Sequence, residues 1–176
     1  MAKSPHFCVL GLIIFLLLIS LVIVVVSRNV SPKEYDDAHP LILDVDHPLI
    51  QESEWVWVVP LYMGVPLTDY PIWVDKLKKS GKKLGLHGIH HTYDEFGKNR
   101  SWNYVYEGVK EFEKAFGYKP SVFKAPKLSM TPHNRDIVED MGMEIVGRYN
   151  QIIHAVSHTD TDRLSDGRLI GEFKES

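Results

Sequence analysis

The segment His87-Gly88-Ile89-His90-His91 carries the plainest chemical signal in this sequence. His87 and His91 stand four residues apart, which lets two imidazoles converge on one metal ion from a helical turn or tight loop. The segment directly follows the strand-like run Leu84-Gly85-Leu86, and Gly88 permits a tight turn at that junction. An exposed cluster of histidines fits the same spacing. A second polar group, Asp44-Val45-Asp46-His47-Pro48, follows the short apolar run Leu41-Ile42-Leu43. If that run is a strand, Asp44 and Asp46 share one face. Acidic groups there would serve as a metal ligand or a general base. A polar turn that ends the strand before Pro48 fits the same residues.

The elements that would position these groups alternate. Residues 41–43, 55–59, 83–87, 122–125 and 144–146 read as short buried strands, the second stopped by Pro60. A helix capped by Asp69, with Pro71 in its first turn, runs to Lys79 and ends at Gly81. Val105, Val109, Phe112 and Phe116 recur at helical spacing, so residues 103–116 form an amphipathic helix stopped by Gly117. Thr131 caps another, opened by Pro132 and closed by Gly142. Strands separated by helices imply parallel pairing with crossovers, in which functional groups gather beyond the C-terminal strand ends. One interval resists this scheme. Residues 47–54 are too few for a helical crossover, which needs about a dozen residues.

Upstream lies a different kind of segment. Residues 7–26 hold no charge and are apolar except for Gly11 and Ser20, enough for a helix of about 30 Å that matches a bilayer core. No small-residue cleavage pattern follows, so an uncleaved anchor is the expectation. Residues 1–27 are then a transmembrane anchor, 28–40 a polar tether, and 41–176 one domain. The net charge is −3, and acidic residues outnumber basic ones after the apolar block, which argues against nucleic acid as a partner. The single cysteine, Cys8, rules out an intramolecular disulfide.

Four stretches occur in the order of polysaccharide deacetylase motifs: Leu43 to His47, Val59-Pro60-Leu61-Tyr62, Leu84 to His91, and Phe123-Lys124-Ala125-Pro126. The chain resembles the predicted-deacetylase branch of the NodB-homology carbohydrate esterases over most of residues 41–158. The His-Gly-x-x-His block is the most specific piece. The resemblance implies a distorted (β/α) barrel, complete or truncated, preceded here by one transmembrane helix. It also implies one divalent metal, zinc by preference, held by an Asp and two His.

Residue by residue, the metal ligands expected from that likeness are Asp46, His87 and His91, with His47 as a substitute ligand. The family carries two adjacent Asp, a base and a ligand. This sequence offers Asp46-His47 or Val45-Asp46 at that place, so Asp46 is the expected acidic residue under either alignment. Lys124 stands where the family places an Arg that orients the catalytic carboxylate, and a point charge there replaces a planar fork. His154, with His158 as alternate, matches the late His that protonates the leaving group. The implied protein is a single-pass membrane hydrolase, its soluble domain on the extracytoplasmic side, removing N-acetyl groups from sugars or polysaccharides. The alternative is a tethered, non-catalytic relic that binds carbohydrate or metal.

Overall fold

The computed structural model describes residues 5–147 and 155–157. Helix α1 (Pro5–Val30) contains a segment, Val9–Val30, that is long and apolar enough to cross a membrane and has no residue buried against the rest of the chain. A membrane span and a signal sequence both have these properties.

The remainder is an α/β fold built on one parallel sheet. Its strands are β1 (Lys33–Ala38), β2 (Trp55–Val58), β3 (Lys83–His87), β4 (Val122–Lys124), β5 (Glu144–Val146) and β6 (Ala155–Ser157). The order across the sheet is β5-β4-β3-β2-β1-β6 and every neighbouring pair is parallel. Consecutive strands lie side by side, as in a (β/α) barrel, and β6 returns to the far side of β1. No ladder joins β5 to β6 among the described residues.

Helices α3 (Pro71–Lys79), α4 (Trp102–Phe116) and α5 (Pro132–Asp140) connect successive strands from β2 to β5, where their sequence periodicity places them. Ser101 and Thr131 accept hydrogen bonds from Tyr104 N and Asn134 N, and Gly117 ends α4 at φ 83°. The expected Asp69 cap is absent: α3 starts from Tyr70 without a side-chain cap and relies on Pro71 in its first turn.

Register divides the sheet into two faces. Tyr35, Val56, Val58, Leu86 and Phe123 belong to the buried core shared with the helices. Fully burying a side chain such as Phe123 contributes about 1.5–3 kcal/mol. By strand alternation the opposite face carries Glu34, Trp57, Gly85, His87 and Lys124. Trp57 lies flat across its partner Gly85, where any Cβ would collide with the indole.

The first strand is not where the sequence suggested. Leu41-Ile42-Leu43 forms a turn, with Ile42 N and Leu43 N donating to His39 O, and Ile42 packs against Val59 and Tyr62. The strand is instead Lys33–Ala38, inside the segment expected to be a tether. This shift resolves the short interval: residues 39–54, including the short helix α2 (Pro48–Gln51), connect β1 to β2.

Candidate metal centre

At the C-terminal end of β1, two carboxylates stand side by side in sequence, Asp36 and Asp37, both buried. In an unbroken strand they would point to opposite faces. Between the pairs Tyr35↔Val56 and Ala38↔Val58, however, β1 holds one residue more than β2. This bulge, with Asp37 in the left-handed region at φ 66°, re-aims the second carboxylate. Asp36 Oδ1 accepts from Lys124 Nζ at 2.7 Å, and Asp37 Oδ1 faces the histidines.

His87 is the last residue of β3 and pairs in register with Lys124. Its Nδ1 donates to Lys124 O at 2.9 Å, which turns Nε2 toward Asp37 Oδ1, 3.1 Å away. The chain then turns through Gly88 (φ 62°) and reaches His91, itself at φ 57°, whose Nε2 lies 2.7 Å from the same oxygen. The turn is held from inside by the buried carboxylate of Glu95. It accepts from Ile89 N at 3.1 Å, from His90 N at 2.7 Å and from Tyr104 Oη at 2.5 Å. His90, between the two, donates through Nδ1 to Leu61 O at 2.9 Å and does not join the cluster.

Asp37, His87 and His91 present one carboxylate oxygen and two imidazole nitrogens, all within 4.8 Å of one another. Ligands bonded at 2.0–2.1 Å in a tetrahedron would sit about 3.3 Å apart, close to the observed 3.1 and 2.7 Å. Two imidazoles and a carboxylate are also the donor set of zinc sites that keep a position open for water. The residues therefore fit a divalent metal. Two of the three hold left-handed backbone, a strain of order 1–2 kcal/mol each that persists only where the surroundings fix it. Burial alone would raise the Asp37 pKa. Hydrogen bonds from His87 and His91, with their charges, outweigh it and hold the carboxyl well below the usual range. Burial likewise pulls His91 down, but the bond to Asp37 and its charge prevail, and its pKa is raised.

Behind the triad, Lys124 is wholly buried, with Nζ 2.7 Å from Asp36 and 3.0 Å from Glu34 Oε2. Trp57 Nε1 donates to the same Glu34 oxygen at 2.8 Å, and Lys124 Nζ lies 5.3 Å from the Trp57 ring centre. One ammonium thus serves two buried carboxylates.

The structure brings His87 and His91 together and sets Lys124 beside a carboxylate, but that carboxylate is Asp36. Asp46 and His47 are not in the cluster. Asp46 is exposed and pairs with Lys76 at 2.6 Å, and His47 caps α2 by accepting from Leu49 N. They follow a turn well after β1 has ended, so no strand directs them to the sheet end. His154 and His158 lie outside the described residues. Asp36 and Asp37 were missed because a polar strand beside an apolar helix reads as a tether. The available signal is Tyr35-Asp36-Asp37 itself, an adjacent acidic pair of the kind expected at residues 45–47.

Several solved structures share this fold. A mutant of BA3943, a CE4 family pseudoenzyme with restored enzymatic activity, matches with a TM-score of 0.52 and 14% identity, over 82% of this chain. This chain spans 62% of that protein's length. The Bc1960 peptidoglycan N-acetylglucosamine deacetylase gives 0.55 at 12% identity, over 81% of this chain and 80% of that one. The polysaccharide deacetylase Bc1974 from Bacillus cereus gives 0.51 at 13% identity, over 82% and 86%. No family model matches the sequence, and no curated protein does. The chain has the α/β fold of CE4 deacetylases, which active enzymes and pseudoenzymes share.

Proposed function

We propose that this chain is a membrane-anchored, metal-dependent hydrolase that removes N-acetyl groups from sugars or polysaccharides, with its soluble domain on the extracytoplasmic side. The observation that carries this reading is the convergence of Asp37, His87 and His91 beside a second carboxylate, Asp36, on a deacetylase fold. Asp37, His87 and His91 would hold one divalent metal, zinc by preference. Such an ion lowers the pKa of water and polarises an amide carbonyl. Asp36 is the base that takes the water's proton, and Lys124 keeps its carboxylate in place. His154 is the proposed donor of a proton to the leaving amine, which departs poorly without one. Asp46 and His47 have no part in this scheme.

The experiment combines zinc binding with acetate release from chitooligosaccharides and peptidoglycan fragments. Asp37→Ala should weaken zinc binding at least tenfold, while Asp36→Asn should retain zinc and lose acetate release. A wild-type chain that binds zinc and releases no acetate from these substrates would overturn the hydrolase. It would leave the relic, a reading favoured by the division of Lys124 between Glu34 and Asp36, which weakens its hold on either.

A further inference from the structure

In a chain of net charge −3, Lys76, Lys78, Lys79, Lys82 and Lys83 are crowded into residues 76–83. They run from the end of α3 across a turn to the first residue of β3. All strands of a parallel sheet start at one edge, so this run shares its edge with Lys33, the first residue of β1, and Trp55, the first of β2. Asp37, His87 and Lys124 stand at or next to the opposite ends of their strands.

The edge is tied to α1. Only Ser31 and Pro32 separate Val30 from Lys33, and the three steps between them span at most about 11 Å. Neighbouring strands lie about 4.8 Å apart, which puts Lys83 on β3 about 10 Å from Lys33. That distance is close to a Debye length at physiological salt.

Several of these lysines have protein partners, all of them exposed. Lys33 pairs with Glu52, Lys79 with Asp75, Lys83 with Glu54, and Lys76 with Asp44 and Asp46. Exposed pairs hold weakly, so an ammonium group can exchange its carboxylate for a lipid phosphate. Lys78 faces no carboxylate among the described residues. Lys82 donates to the carbonyls of Gln51 and Ser53, which cancels no charge. Arg28, in the last turn of α1, adds another positive charge.

The α3 dipole accounts for cations in that helix's last turn, but not for Lys82, Lys83 or Lys33 beyond it. Trp55, half-buried at the same edge with Lys83 Nζ 5.6 Å from its ring centre, has the amphipathic character of residues found at a headgroup boundary. Farther from α1, where β5 begins, the charges change sign: Glu139, Asp140 and Glu144.

We propose that this lysine-rich edge docks on an anionic bilayer surface beside α1 and turns the candidate metal centre away from the membrane. This rests on the reading of α1 as an anchor. The four-residue rise from Lys33 to Asp37, matched by that from Lys83 to His87, then holds the centre about 13 Å above the docked edge.

The test reconstitutes the full chain in vesicles of phosphatidylcholine alone or mixed with phosphatidylglycerol. A membrane-impermeant amine-acylating reagent is applied and the labelling of each lysine is read by mass spectrometry. Lys33, Lys78, Lys79 and Lys83 should label about fivefold more slowly in the anionic vesicles, and high salt should abolish the difference. Lys98 and Lys127, in loops beyond the other edge, should not change. Lys78→Glu with Lys79→Glu should lose the protection at Lys33 and Lys83, with buried Lys124 still unlabelled as a sign of an intact fold. Equal labelling in both vesicle types, with the chain retained after a carbonate wash, overturns the docking alone. Extraction of the chain by that wash overturns the anchor and the docking with it.

Discussion

His39 is buried and His91 partly buried, yet their environments shift them in opposite directions. Burial lowers His39 to about 4, although the hydrogen bond to Val65 O pulls the other way. Its neighbours are that carbonyl and Leu41 N, which suit a neutral ring donating from Nε2 and accepting at Nδ1. His91 faces a carboxylate instead and is raised. Between about pH 6.5 and 4 the unfolded chain carries a proton on His39 that the folded chain does not. Stability therefore falls as pH drops through that window, by up to about 3 kcal/mol, with no further contribution below it. The depressed Asp37 acts at lower pH: its contribution is present above the ordinary carboxylate pKa and is lost as pH falls toward the folded value. His91 works in the other direction, its contribution full below about 6.5 and lost as pH rises through its raised value. We expect His39→Gln to be less stable than wild type at pH 7 but to show a flatter loss between pH 6.5 and 4. Denaturant midpoints across that range would measure it, and parallel curves for the two chains would count against the assignment.

At the scale of elements, the centre depends on two local departures from regular structure, the β1 bulge and the turn after β3. Gly88 sits at φ 62°, and a Cβ there would collide with Glu95 Oε2 and with Pro126. Gly88→Ala must both strain the backbone and displace the carboxylate that gathers the amides of Ile89 and His90. The expected loss is about 2 kcal/mol or more, with zinc affinity lowered at least tenfold because His91 follows that turn. Thermal melts and zinc titration of the variant test both parts. A wild-type melting point together with wild-type zinc affinity would show that the turn tolerates a side chain.

For the whole molecule, the boundary between anchor and domain is the feature the structure moves most. β1 lies between β2 and β6, so the domain begins by Lys33. A fragment beginning at Ser31 should fold and bind zinc. One beginning at Leu41, the boundary suggested by composition, lacks an interior strand together with Asp36 and Asp37, and should neither melt cooperatively nor bind zinc. Circular dichroism melts and zinc titration of the two fragments decide this. Equal behaviour would mean that β1 is dispensable.

Much of this protein was legible in its sequence. Helical periodicity, capping residues and glycine stops placed α3, α4 and α5, and β-branched or apolar runs placed β2 to β5, because those elements bury one regular face. The His-Gly-x-x-His turn could be read as well, since two of the three clustering groups lie on one short segment and need only a local turn to meet. The third could not. Lys33–Ala38 holds Glu34, Asp36 and Asp37, whose burial depends on a lysine some ninety residues away and on histidines from another strand. A carboxylate is stable in a protein interior only when such partners arrive, and that depends on which strands become neighbours. The bulge that separates Asp36 from Asp37 is likewise a property of the β1–β2 pairing. Local pattern therefore determined α3 to α5, β2 to β5 and two of the three clustering groups, and tertiary packing decided which acidic residue completes them.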